Sequence, residues 1–211
     1  MKASPGKMRI QNKWRILLIL SLICTTAFSQ SHFSQFEALF TKISPDTLHI
    51  YPHTFQRETE HHPLQPEREK ISIELAKAMQ LDISRHVPLA KLTMDKERKI
   101  IAFIMETAPK TSISMYLYST SEAKFIAQIT LASYTHSPGA FEETVNSWIT
   151  DLDEDGSLDI ATYSDLQDFE APNKLQDNIS HQQKYIHYLR DGKLVYEIWD
   201  SPILPLVKLR K

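Results

Sequence analysis

Four carboxylates, Asp151, Asp153, Asp155 and Asp159, fall within nine positions of the stretch "WITDLDEDGSLDIATYSD", residues 148–165. Alternate spacing through a tight turn lets such groups point inward together, and a hard cation that takes six to eight oxygen ligands is the chemistry that suits them. Gly156 permits the sharp reversal, the Ser157 carbonyl is positioned to act as a backbone ligand, and Asp159 returns the last carboxylate. Without a cation, negative groups this close raise one another's pKa and work against the turn. The pattern therefore predicts a Ca2+ site built from Asp151, Asp153, Asp155, Ser157 and Asp159. Its expected affinity is modest, roughly 0.1–1 mM as in extracellular modules, which suits a structural ion. The competing interpretation is a solvated acidic turn; the glycine, the apolar frame and the alternate spacing favour the ion.

Other chemistries find less support. His49, His53, His61 and His62 cluster in a proline-rich stretch, but Pro52 interrupts the helix that would align the first two, and there is no H-E-x-x-H. Exposed histidines are the expected outcome, with His187 read as a hydrogen-bonded core residue. Beyond residue 29 the glycines are Gly139, Gly156 and Gly192. That leaves no P-loop, no dinucleotide fingerprint and no G-x-S-x-G elbow. A carboxylate pair from Asp165, Asp168, Glu170 and Asp177 stays open, because such a pair is defined by separation in space. Trp148 is read as a core anchor rather than a sugar-stacking platform.

The elements that must position the acidic loop are strands. "ETVNSWI" enters it and "LDIATYS" leaves it, both rich in β-branched and aromatic residues. Residues 98–107, 112–119 and 124–134 have the same character and are joined by short polar links, as in an antiparallel meander. Residues 184–200 predict a hairpin turning at Asp191-Gly192, with Tyr185, His187, Leu189, Leu194, Tyr196 and Ile198 on a buried face. Residues 166–183 read as a long polar loop, a common place for binding. Helical spacing appears at 32–43 and at 67–80, the latter with Pro66 before its first turn and Ile71, Leu75, Ala78 and Met79 on one face. Between these helices the prolines at 45, 52, 63 and 66 predict extended or irregular chain. The expected fold is mainly β, an antiparallel meander or partial propeller-like sheet, with one or two N-terminal helices. The expected organisation is 1–29 signal peptide, 30–66 helix and extended arm, and 67–211 β-rich domain.

The loop resembles the D-x-D-x-D-G-x-x-D loops of EF-hands, dockerins and FG-GAP (VCBS-type) repeats. Position 12 of an EF-hand loop falls on Thr162 where a bidentate Glu is expected, and strand-like flanks replace the helix pair. The closer likeness is to the strand-loop-strand of an FG-GAP blade, and to exported bacterial β-rich proteins with a single such loop late in the chain. It is specific over residues 144–163 and general over 87–200. One motif leaves no room for a complete propeller. The resemblance implies a binding or interaction protein more than an enzyme.

The first thirty residues carry an export signal by pattern. Lys2, Lys7, Arg9, Lys13 and Arg15 precede the apolar run 16–23, and Ala27 and Ser29 supply the small residues of a cleavage site before Gln30. A lipoprotein signal at Cys24 is the alternative, with Ile23 where a small residue is wanted. Removal of residues 1–29 leaves 19 basic against 26 acidic residues, a net charge near −7 in place of −2. An acidic chain without Lys/Arg clusters argues against nucleic acid and anionic membrane as partners. The only cysteine leaves with the signal, so no disulfide braces the fold. The expectation is an exported protein, periplasmic or extracellular, without a membrane span in the mature chain, that binds a protein or glycan at the cell envelope. The alternatives are a calcium-supported hydrolase and a periplasmic enzyme inhibitor.

Overall fold

The computed structural model describes residues 32–52, 64, 70–81, 86–107, 112–138, 140–168 and 179–199. The signal peptide read at 1–29, His53, His61 and His62, and the carboxylates Glu170 and Asp177 lie outside them. The chain divides into two units, one within Met1–Leu39 and Ile71–Ser84, the other within Phe40–Lys70 and Arg85–Lys211.

The smaller unit holds the helices. Helix α1 covers 32–38 and buries Phe36; it stops short of the expected 43 because residues 41–43 are drawn into sheet pairing. Helix α2, Ile73–Ala78, is shorter than the expected 67–80. Its start is set by Ser72, whose hydroxyl accepts from the Leu75 N–H at 3.2 Å, rather than by Pro66. The buried residues here are Ile71 and Ala76, whereas Ala78 is exposed, so the inward face differs from the expected one by part of a turn. No described helix is long and apolar enough to cross a membrane.

The larger unit is an antiparallel sheet. Its strands are β1 (Thr47–Ile50), β2 (His86–Thr93), β3 (Ile100–Thr107), β4 (Ser112–Ser119), β5 (Lys124–Ser137), β6 (Phe141–Thr150), β7 (Asp159–Asp168), β8 (Ile179–Arg190) and β9 (Lys193–Ile198). They form one nine-stranded sheet in sequential order from β2 to β9, with β1 on β6. The mainly β meander expected from the sequence is the fold observed. β2 and β1 are additions to it. Pro88 sits at a register shift of β2, a place where a missing donor costs little. β1 lies inside the stretch read as extended or irregular.

Hydrogen bonds explain how the sheet encloses a core. Ser133–Ser137 of β5 pair with Phe141–Val145 of β6, and the rest of β6, Ser147–Thr150, takes β1 instead. Just before β1, the Ile43 N–H donates to the Lys91 carbonyl at 2.9 Å, and the Lys91 N–H to that of Thr41 at 2.9 Å. The segment from Thr41 to Ile50 is therefore bonded to β2 at its start and to β6 at its end. Each strand from β1 to β8 sends an apolar side chain into one cluster, Leu48, Leu92, Leu117, Ile149, Ile160 and Leu189 among them. Each fully buried aliphatic side chain contributes about 1.5–3 kcal/mol. The opposite face of the central strands is covered too. Phe103 packs edge-on to Phe40 at 5.0 Å, and Phe125 meets Tyr118 at 5.2 Å.

The hairpin of β8 and β9 turns at Asp191 and Gly192, both in the left-handed region at φ 51° and 70°, as a type I′ turn requires. Its face is not uniformly buried as expected. Leu189 is buried and Leu194 partly so, whereas Tyr196 and Ile198 are 55 % and 69 % exposed. Among the described residues β9 is the last strand of the sheet and has a neighbour on one side, so its side chains lack the cover given to β8. On the other face Ile186 and Tyr188 are buried, so β8 is covered on both sides.

Candidate metal centre

The loop 151–158 joins paired strand ends, Thr150 opposite Asp159. Glu154 at φ 64° and Gly156 at φ 85° make the reversal. Gly156 suits this conformation, and a Cβ there would also meet the Lys96 side chain.

One carboxylate oxygen each from Asp151, Asp153 and Asp159 lies within 4.8 Å of the others, close enough to share an ion. Asp151 Oδ2 accepts from the Gly156 N–H at 2.8 Å, while its Oδ1 is buried and has no hydrogen-bond partner among the described residues. Asp153 Oδ1 accepts a long bond from the Asp155 N–H at 3.4 Å, and its Oδ2 lies 3.7 Å from the Arg190 guanidinium. Asp159 is 2 % exposed, and its carboxylate accepts from the N–H groups of Leu152 at 2.9 Å and Leu189 at 3.3 Å.

Of the expected carboxylate ligands, Asp155 is arranged differently. Asp155 Oδ1 accepts from the Ser157 N–H at 2.6 Å, a closure local to the turn, and Asp155 is not one of the three residues whose oxygens converge. Other groups at the loop were not legible locally. The Lys96 ammonium donates to the Asp155 carbonyl at 2.9 Å, the Leu158 N–H donates to the Met94 carbonyl at 2.7 Å, and Arg190 arrives from the end of β8. Their only sequence signal is position: Lys96 lies in the β2–β3 turn and Arg190 just before Asp191-Gly192.

Those turns meet the loop because alternate connections of a meander emerge at the same end. The β2–β3, β4–β5 and β8–β9 turns and the acidic loop surround an open cleft of about 540 Å³, lined by Lys96, Lys99, Glu122, Asp155 and Asp191 among others. The polar stretch expected after β7 differs in extent. β7 and β8 extend to Asp168 and Ile179, so the expected loop of 166–183 narrows to 169–178, whose residues lie outside those described. Asp168 is nine residues along β7 from Asp159, about 30 Å at strand rise. The described end of β7 at Asp168 is thus at the opposite end of the strand from the acidic loop.

Burial pushes the Asp159 carboxyl from 3.8 up to about 6. The Leu152 and Leu189 N–H groups oppose the rise, and the Asp153 and Asp155 carboxylates add to it. The folded state therefore holds this proton more tightly than the unfolded chain. In EDTA, the stabilisation that comes from protonating Asp159 is fully present below about pH 4 and is lost as pH rises through about 6. A cation held by this cluster would compete with the same proton, so any calcium-induced rise in melting temperature should be smaller at pH 5 than at pH 7.5. Melting curves with and without calcium at both values check this, and equal shifts would refute it.

Burial lowers the His187 pKa and keeps the imidazole neutral. It is half-buried where a hydrogen-bonded core residue was expected, and its Nδ1 is enclosed without a hydrogen-bond partner among the described residues. His49 stacks on Trp148, with ring centroids 4.4 Å apart and an interplanar angle of 2°.

Comparison of the chain with protein-family models, curated proteins and solved structures returns no match.

Proposed function

We propose that this chain is an exported calcium-binding protein of the binding type, in which one structural Ca2+ at Asp151, Asp153 and Asp159 fixes the end of the sheet that carries the cleft. The observation that carries the reading is the convergence of three carboxylate oxygens within 4.8 Å, one of them on Asp159 at the buried head of β7. The unpartnered Asp151 Oδ1 beside them is a hard oxygen suited to the same ion. The likeness of the loop to FG-GAP-type strand-loop-strand units supports the same conclusion, and the basic, apolar and small-residue order of the first 29 residues supports export. In this reading the ion neutralises the loop and ties Thr150 to Leu158. The loop in turn holds the β2–β3 turn through Met94 and the β8–β9 turn through Leu189. The cleft between those turns is the surface offered to a protein or glycan at the cell envelope.

A second reading rests on Lys96 and Arg190. Two cationic side chains against the loop are the compensation a metal-free acidic turn would use. Calorimetric titration of the metal-free protein with CaCl2 separates the two. One saturable site that Asp153→Ala abolishes supports the ion; the absence of saturable binding in the wild type favours the cationic closure and ends the calcium reading.

A further inference from the structure

β9 is the terminal strand of the sheet, and among the described residues no strand flanks its outer side. Its side chains are open on both faces, with Val195 38 %, Tyr196 55 % and Ile198 69 % exposed. Proteins usually protect such an edge with a proline, a bulge or an inward charge, and "KLVYEI" has no proline and an unbroken register with β8.

The register fixes which backbone groups face out. Arg190 and Lys193 close the two-residue turn, and the Trp199 N–H donates back to the Lys184 carbonyl at 2.8 Å. By the alternation of an antiparallel ladder, Lys193, Val195 and Glu197 turn their N–H and C=O groups toward β8. Leu194, Tyr196 and Ile198 turn theirs outward.

We infer that β9 pairs antiparallel with the β9 of a second copy of this chain, about a two-fold axis at Val195. In that register Leu194 of one chain faces Tyr196 of the other, and these are the residues whose backbone groups point outward, so hydrogen bonds form. Lys193 then faces Glu197 across the axis, twice, and Val195 faces Val195. Sliding by one hydrogen-bonding repeat in one direction sets Glu197 against Asp191, a repulsive pair. Sliding in the other direction sets Glu197 against Val195 and Lys193 against Trp199. Charge therefore selects the symmetric register, and the same strand supplies both halves of it. Glu197 also lies 3.8 Å from Arg190 of its own chain, so each acid would bridge two cations. The contact is short, and its expected affinity is in the micromolar range. It does not depend on calcium.

Sedimentation equilibrium of the purified full chain across the micromolar range tests the inference. The wild type should show a reversible monomer–dimer equilibrium. Lys193→Glu and Glu197→Lys should each weaken it about tenfold or more, because two opposed pairs become like-charged at once, and the double exchange should restore it. Tyr196→Pro removes an outward N–H, leaves the ladder to β8 in place, and should abolish association while the far-UV spectrum is unchanged. A monomeric wild type would overturn the inference and leave the edge to a foreign strand or to residues 200–211. A dimer that survives Tyr196→Pro, or that the double exchange fails to restore, would overturn it equally.

Discussion

Adding about 10 mM calcium to the metal-free protein should raise its melting temperature by roughly 5–10 °C at neutral pH. A site with a Kd of about 0.1 mM is then near hundredfold excess, which corresponds to about 2.7 kcal/mol of linkage. For a chain of this size each kcal/mol moves the transition by roughly 2–4 °C. Magnesium at the same concentration should do much less, because it demands a tighter octahedral shell and gives up its water reluctantly. Asp153→Ala is the informative control. It is exposed, it accepts only a 3.4 Å bond within the loop, and its removal should leave the melting temperature in EDTA nearly unchanged while abolishing the calcium response. A wild type that melts at the same temperature in EDTA and in calcium would remove the basis for a structural ion.

Asp159→Ala should behave differently, with a loss of about 2–4 kcal/mol even in EDTA. The carboxylate receives the N–H groups of Leu152 and Leu189, and each buried donor left unpaired costs about 1–3 kcal/mol. Removing a charge that burial disfavours offsets part of that cost, which keeps the expected loss below the sum of the two. Urea denaturation should show a lower midpoint at an unchanged slope. Asp159 thus has a structural role before any ion binds: it links the acidic loop to β8, whereas Asp153 is an exposed carboxylate beside Arg190 that an ion would engage. If the two alanine variants proved equally stable without metal, that division of roles would be wrong.

The convergence of the loop's carboxylates was legible because it is local. Asp151, Asp153, Gly156 and Asp159 lie within one turn, and their spacing is enough to predict convergence. The hairpin at Asp191-Gly192 was legible for the same reason, since the turn residues and the alternation on either side agree. What the sequence hid was long-range. The short strand from Thr47 to Ile50 carries no more than two apolar residues, Leu48 and Ile50, between prolines, and only pairing with β6 makes it a strand. Lys96 and Arg190 reach the acidic loop through the register of two other hairpins. The exposure of Tyr196 and Ile198 follows from β9 being last in the sheet, and a pattern of alternating residues does not say where a sheet ends. The helix face at 71–79 was misplaced for a smaller reason: Ser72 caps the helix, so Ile71 lies outside it and does not share its 3.6-residue spacing.

The place of β1 has a consequence for how the molecule is made. The strands from β2 to β9 follow one another in space as they do in sequence, so each can zip onto its predecessor as the chain emerges. β1 cannot. Thr47 meets Thr150 hydroxyl to hydroxyl at 3.2 Å, a contact that spans 103 residues. Leu48 and Ile50 are thus synthesised among the first of the core residues but cannot be seated until β6 has been made. A chain kept extended during transport through a membrane tolerates that delay. One released early would present a short apolar strand with no partner until β6 is available.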